Sequence, residues 1–85
     1  MQLTRNDILE KLKEIMQSMY DQAPAGLAEV TEDTRLAEGL GLNSVGMLYM
    51  VIIIETSFGI RFDHVELSNF RTVGDVVSYI EEHQP

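Results

Sequence analysis

The chain has no cysteine and no tryptophan, and only two of its 85 residues are proline. Without cysteine it has neither a disulfide framework nor a thiolate metal site. The two histidines, His64 and His83, lie far apart in the sequence, without the spacing of paired metal ligands. We therefore expect a small domain that folds without covalent or metal cross-links.

Basic residues are also scarce, since the chain has six of them and fourteen acidic residues, which gives a net charge of -8. Residues 1–20 hold three residues of each sign, so the whole imbalance falls on residues 21–85. Such a polyanion repels nucleic acid and anionic lipid. It favours protein partners that carry basic patches. The alternative is that the acidity only keeps a small domain soluble.

Long apolar runs are missing as well. The longest, residues 45–54, is ten residues long, whereas a membrane span needs about 20. The first five residues lead straight into a charged amphipathic segment, so they resemble neither a signal peptide nor an anchor. We expect a cytoplasmic monomer in which residues 1–85 form one domain, near the size at which a single core is just sufficient.

Three segments are typical of helices. The first has apolar residues at three- and four-residue spacing from Ile8 to Met19, after a capping box formed by Thr4 and Asp7. The second, residues 45–58, is β-branched enough at 51–54 to be a strand, but its length and the C-capping Gly59 favour a helix. The last starts at Thr72, again with capping-box spacing to Asp75.

The connections complete a prediction of an all-α fold, with three main helices, one short helix and a long first loop. Residues 63–67 are predicted to form the short helix. The first loop, of roughly twenty residues, is long for a compact domain. We expect apolar side chains to hold this loop against the core. They are Leu27, Val30, Leu36, Leu40 and Leu42.

Ser44 lies where this loop meets the second long helix, in the segment Gly41-Leu42-Asn43-Ser44-Val45-Gly46. A hydroxyl there is either a helix N-cap, for which Asn43 is an equally good candidate, or a site of modification. An enzyme is excluded on these residues, because there is no paired catalytic constellation and no phosphate-binding glycine loop. The adjacent acidic pairs at 32–33 and 81–82 are typical of solvated surface.

The order of these elements, with a Leu-Asn-Ser-Val junction and a Phe-Gly-Ile-Arg-Phe segment after the second long helix, resembles the acyl carrier protein family over nearly the whole chain. The resemblance implies that Ser44, flanked by Asn43 and Val45, receives 4′-phosphopantetheine from coenzyme A through a phosphopantetheinyl transferase. It also implies that acyl groups are attached as thioesters to the terminal thiol of this 4′-phosphopantetheine arm. Acyl-loading, condensing and transferase enzymes would then be the partners.

Some positions depart from the family pattern. Fatty-acid carriers usually have acidic residues along the helix that follows the serine, whereas Gly46, Tyr49 and Thr56 occupy such positions here. We therefore predict that partners are recognised more by apolar contacts than by charge. The predicted partner-binding residues are Met47, Tyr49, Met50 and Glu55. By position in the family, the predicted acyl-chain pocket is lined by Leu48, Ile52, Phe62, Leu67 and Phe70.

The sequence pattern does not select a pathway, because fatty-acid, polyketide, unusual-lipid and aminoacyl carriers all fit it. The weakened acidic surface favours a dedicated carrier in a specialised pathway. The initial Met1 and an end just after the last helix favour a free-standing carrier. The rival interpretation is a helical interaction module without a prosthetic group, using the same apolar helix for docking.

Overall fold

The computed structural model describes residues 3–20, 29–62 and 69–84. Within these ranges it contains only helices, together with one isolated antiparallel bridge between Arg35 and Thr72. The helices are α1 (Arg5–Ser18), α2 (Leu36–Leu40), α3 (Ser44–Phe58) and α4 (Val73–His83). The all-α prediction with three main helices is confirmed. The short α2 was not predicted, and the turn predicted at 63–67 lies outside the described residues.

Helix α1 begins at the predicted capping box. The Asp7 N–H donates to Thr4 Oγ1 at 3.1 Å, and the Thr4 N–H donates to the Asp7 carboxylate at 3.2 Å. Together these bonds satisfy two backbone donors that the helix start would otherwise leave unpaired. The apolar face of α1 is buried against α3 and α4, so this helix forms the centre of the core.

The loop between α1 and α3 is held down as predicted. Val30, Leu36, Leu40 and Leu42 are all buried, while Leu27 lies outside the described residues. Backbone bonds join the same segment to the start of α4, from the Leu36 N–H to the Arg71 carbonyl and from the Val73 N–H to the Thr34 carbonyl, both at 2.9 Å. The chain that leads into α3 is therefore held in place both by buried apolar side chains and by backbone hydrogen bonds.

Helix α3 ends at Gly59, which has the left-handed conformation with φ of 68°. Its N–H donates to the Glu55 carbonyl at 3.0 Å, and the ammonium group of Lys11 donates to the Ser57 carbonyl, also at 3.0 Å. The lysine thus places a positive charge at the negative end of the helix dipole. The predicted C-cap is confirmed.

Gly59→Ala is expected to lower the free energy of unfolding by about 1–2 kcal/mol, because a Cβ disfavours the left-handed backbone. No atom lies within 4 Å of the added Cβ, so the loss comes from the backbone alone. Gly59→Asn should recover part of this loss, since asparagine tolerates that conformation. Urea unfolding of the three proteins measures the difference. Equal stability of the alanine and asparagine variants would contradict this explanation.

Helix α4 begins at the second predicted capping box. The Asp75 carboxylate accepts hydrogen bonds from the N–H groups of Arg71 and Thr72 at 2.9 and 3.1 Å, and the Asp75 N–H donates to Thr72 Oγ1 at 3.2 Å. The Arg71 N–H, followed by that of Thr72, holds the pKa of Asp75 below its ordinary value, because both donors favour the charged carboxylate.

This lowered pKa predicts a pH dependence of stability. A carboxylate with a native pKa below its unfolded value stabilises the fold at pH values above about 3.9, and that contribution is lost as the pH falls through the native pKa. At pH 7, Asp75→Asn is expected to cost about 0.3–1 kcal/mol, because the amide keeps an acceptor but loses the charge at the helix start. This gap between the variant and the unaltered protein in the free energy of unfolding, measured with urea, should be smaller near pH 2 than at pH 7. A gap that does not change with pH would contradict the prediction.

Candidate functional site

Ser44 is the first residue of α3, and its side chain is exposed. The N-cap is Asn43, whose side-chain oxygen accepts a hydrogen bond from the Gly46 N–H at 2.9 Å. Of the two candidates for the cap, the structure therefore selects Asn43. Because the cap does not use the Ser44 hydroxyl, this group is left on the surface for another role.

Local structure on both sides of Ser44 holds it in place. Gly41, with φ of 69°, ends α2 and turns the chain. The next residue, Leu42, is buried, and its N–H donates to the Leu36 carbonyl at 3.1 Å. One turn into α3, Met47 is buried as well. An exposed serine between two buried anchors has a defined position at the surface.

The start of α3 favours an anion. The first N–H groups of a helix have no partner within it. Here the Gly46 N–H donates to the Asn43 side chain, whereas the N–H groups of Ser44 and Val45 form no hydrogen bond with another described residue. The first turn contains no acidic side chain to offset the positive end of the helix dipole. A phosphate group joined to the Ser44 hydroxyl would meet both N–H groups and the dipole, so these residues fit a phosphodiester.

Two of the predicted partner-contact residues are buried. Met47 is 9% exposed and Met50 only 1%, because the face of α3 that includes both also contains Val51 and Ile54 and packs into the core. The prediction that these two methionines contact partners is therefore wrong. Tyr49, on the opposite face, is exposed as predicted.

Two of the predicted pocket residues lie on the surface instead. Leu48 is 54% exposed and Ile52 is 52% exposed, since both project from the side of α3 that faces away from the core. Their prediction as pocket lining is wrong for this reason. Phe62 and Phe70 do meet, with ring centroids 5.6 Å apart in an edge-to-face arrangement. Leu67 lies outside the described residues.

The exposed apolar residues of α3 form one continuous surface, which we call the α3 strip. The first and the last of them each lie three and four residues from the two in the middle, which places all four on one side of the helix, beginning directly after Ser44. The strip consists of Val45, Leu48, Tyr49 and Ile52. Of these four residues the sequence indicated only Tyr49 as a partner contact, because α3 is apolar all round and carries no polar face to mark its orientation.

Glu55, the remaining predicted partner contact, is half-buried and has an internal role. Its carboxylate accepts a hydrogen bond from the Phe62 N–H at 2.9 Å. The bond closes the turn that follows α3, across the C-capping Gly59. Its charge therefore also helps to hold the chain after α3 in place.

Two kinds of feature are absent from residues 3–20, 29–62 and 69–84. No helix there is both long enough and apolar enough to cross a bilayer. The same residues include no group of three or more histidine, cysteine, aspartate or glutamate side chains placed to hold a metal ion.

Comparison with known proteins assigns the class. Residues 10–80 match the family model described as "Phosphopantetheine attachment site", which defines a domain that carries 4′-phosphopantetheine. The chain is 34% identical over 79 residues to an acyl carrier protein of Thermotoga maritima, covering 93% of this chain and 94% of that one. It therefore belongs to the acyl carrier protein family, whose members carry acyl groups on this prosthetic group and are not themselves catalysts.

Another relative is a more specialised carrier. A meromycolate extension acyl carrier protein of Mycolicibacterium smegmatis is 30% identical over 82 residues, which cover 96% of this chain and 80% of that protein. The fold is that of a solved acyl carrier protein from Enterococcus faecalis, with a TM-score of 0.72, 24% identity, and coverage of 96% of this chain and 100% of that one. Family and fold thus agree, and neither selects a pathway.

Proposed function

We propose that Ser44 is the residue to which 4′-phosphopantetheine is attached. The observation that carries the proposal is an exposed serine at the first position of α3, with its hydroxyl outside the cap and the N–H groups of Ser44 and Val45 at the same helix end. The 4′-phosphopantetheine arm supplies the thiol that bears the acyl group, which this cysteine-free chain cannot supply itself.

The attachment reaction needs an external catalyst. The Ser44 oxygen forms a phosphodiester bond while the pyrophosphate bond of coenzyme A breaks, and the adenosine bisphosphate portion leaves. No histidine or carboxylate neighbours Ser44 in the sequence to remove the hydroxyl proton. A phosphopantetheinyl transferase supplies that base. In this protein, Ser44 is an acceptor whose position is fixed by Leu42 and Met47.

We further propose that partner enzymes dock on the α3 strip. An exposed apolar surface of neighbouring side chains marks an interaction site, and this one starts directly after the serine that partners must reach. The strip contains no charge, so acidic pairing contributes little there. A carrier of this kind fits a dedicated fatty-acid, polyketide or related specialised pathway in the cytoplasm.

Attachment is tested by treating the protein with coenzyme A and a transferase of broad tolerance. The intact mass should rise by one phosphopantetheinyl group. Proteolysis and peptide mass measurement should place the group on the peptide that contains Ser44. An unchanged mass, or modification of a different serine, would refute the assignment.

The α3 strip is tested with the same transferase. The double variant Leu48→Ala, Tyr49→Ala is expected to raise KM at least about fivefold, which corresponds to about 1 kcal/mol of lost contact. This ratio should change little between low and high salt, because apolar contacts are not screened. Gln17→Ala, on the exposed side of α1, is the control and should bind normally. Apolar docking would be contradicted if the double variant had a normal KM and the unaltered protein bound the transferase much more weakly at high salt.

A further inference from the structure

A pocket of about 360 Å³ opens beside the first turn of α3, where Met47 lines it. This volume is within the range of small-ligand sites, about 300–1,000 Å³. Its apolar lining includes Leu42, Met47 and Phe70, all three largely buried. Met47 is three residues after Ser44 in α3, on the same side of the helix. A chain tethered at Ser44 therefore has an apolar space within its reach.

The lining carries more positive than negative charge, with Arg35 and Arg71 against Glu38, which is unusual for this chain. Only three basic residues follow residue 20, namely Arg35, Arg61 and Arg71. Two of the three, Arg35 and Arg71, line this pocket. The backbone holds them close together, because Arg35 forms the isolated bridge with Thr72 and the next N–H, that of Leu36, donates to the Arg71 carbonyl at 2.9 Å.

Both guanidinium groups retain capacity to bind an anion. Among the described residues Arg35 has one ion pair, a long contact of 3.8 Å to the exposed Glu38, which also lines the pocket. Within the three described ranges the Arg71 side chain forms no ion pair, although its charge is close enough to Asp75 to help lower the pKa of that carboxylate. By contrast, the guanidinium of Arg5 is bound by both Glu32 and Glu81. Arginine presents paired donors that match the two oxygens of a carboxylate.

We propose that this pocket selects acyl groups that end in a carboxylate. The apolar lining would contact the hydrocarbon part of the cargo, while Arg35 and Arg71 would bind the terminal carboxylate. The inference rests on the proposed attachment at Ser44 and names the class of cargo: dicarboxylic acids joined to the arm through one of their two ends. A monocarboxylic acyl group of the same length would leave both arginines without this partner.

The test compares two cargoes of equal length. A phosphopantetheinyl transferase loads the protein from hexanoyl-coenzyme A and from hexanedioyl-coenzyme A, and intact mass confirms each product. Nuclear magnetic resonance then follows the side-chain Nε–H signals of Arg35 and Arg71. We expect both signals to move with the hexanedioyl group and to stay in place with the hexanoyl group. The melting temperature should be about 4 °C higher for the hexanedioyl form at low salt.

Variants test whether the difference comes from these two arginines or from the overall charge of the protein. Arg35→Gln and Arg71→Gln, both at exposed positions, should remove the difference in melting temperature between the cargoes. Arg61→Gln is the matched control, since it removes an exposed arginine that does not line this pocket, and it should keep the difference. The difference should also shrink at 1 M salt, where the screening length falls to about 3 Å.

Three results would overturn the inference. Equal signals and equal melting temperatures for the two cargoes would exclude selection of a carboxylate. Signals that move fully when the arm is attached without cargo would show that the arginines bind the phosphodiester instead. Either of these two results would leave the proposed attachment at Ser44 intact. A protein that accepts no arm at all would refute the proposed function and this inference together.

Discussion

Ser44→Ala is expected to abolish the attachment of phosphopantetheine completely, while the free energy of unfolding stays within about 0.5 kcal/mol of the unaltered value. Alanine lacks the oxygen that forms the phosphodiester bond. The fold should tolerate it, because the residue is exposed and the cap of α3 is made by Asn43. Intact mass after treatment with coenzyme A and transferase measures the first effect, and urea unfolding measures the second.

Ser57→Ala is the matched control for this experiment. It removes a serine hydroxyl near the other end of the same helix, and it should accept one phosphopantetheinyl group like the unaltered protein. If Ser44→Ala were still modified, another residue would be the attachment site. If Ser44→Ala unfolded, the hydroxyl would have a structural role that the cap geometry does not assign to it.

Ile54→Ala is expected to lower the free energy of unfolding by about 2–5 kcal/mol. The side chain is fully buried, with 0% exposure, in the part of α3 that faces the core. Truncation removes apolar contacts and leaves a cavity that close-packed neighbours fill only in part. Because natural domains are stable by only about 5–15 kcal/mol, this loss is a large fraction of the total. Urea or thermal unfolding measures it.

Ile52→Ala provides a control on the same helix, with the same change of side chain. Ile52 is 52% exposed, so its truncation should alter stability by no more than about 0.5 kcal/mol. Equal losses for the two variants would mean that Ile52 faces the core as Ile54 does. The comparison therefore tests which side of α3 is core and which side is the α3 strip.

This division of α3 connects stability to function. One side, with Met47, Met50 and Ile54, holds the helix in the core. The other side presents the α3 strip to solvent, directly after the exposed Ser44. A partner that contacts the strip consequently approaches a serine whose position is set by the buried side of the same helix.

Local signals made the helix ends predictable. The capping boxes at Thr4 and Thr72 and the C-cap at Gly59 lie where the sequence places them, because a cap depends on a few neighbouring residues and on backbone geometry. The buried face of α4 was equally readable, since its apolar residues recur at helical spacing. They are Val73, Val76, Val77 and Ile80.

Features without a local signal were missed. Helix α2 has five residues, too few for a periodic pattern, and it is bounded by the left-handed Gly41 and by backbone bonds to the segment before α4. The pairing of Arg35 and Arg71 at one pocket also depends on that distant contact, because 35 residues of chain separate them. No pattern within either segment indicates it.

The sequence by itself determined the class of the protein, the three main helices and the position of Ser44 at a helix start, because these depend on local caps, apolar spacing and a short motif. Only the tertiary structure decided which residues of α3 are exposed. A helix that is apolar on every side has no preferred orientation of its own. Packing into the core buries Met47 and Met50 and leaves Leu48 and Ile52 in solvent.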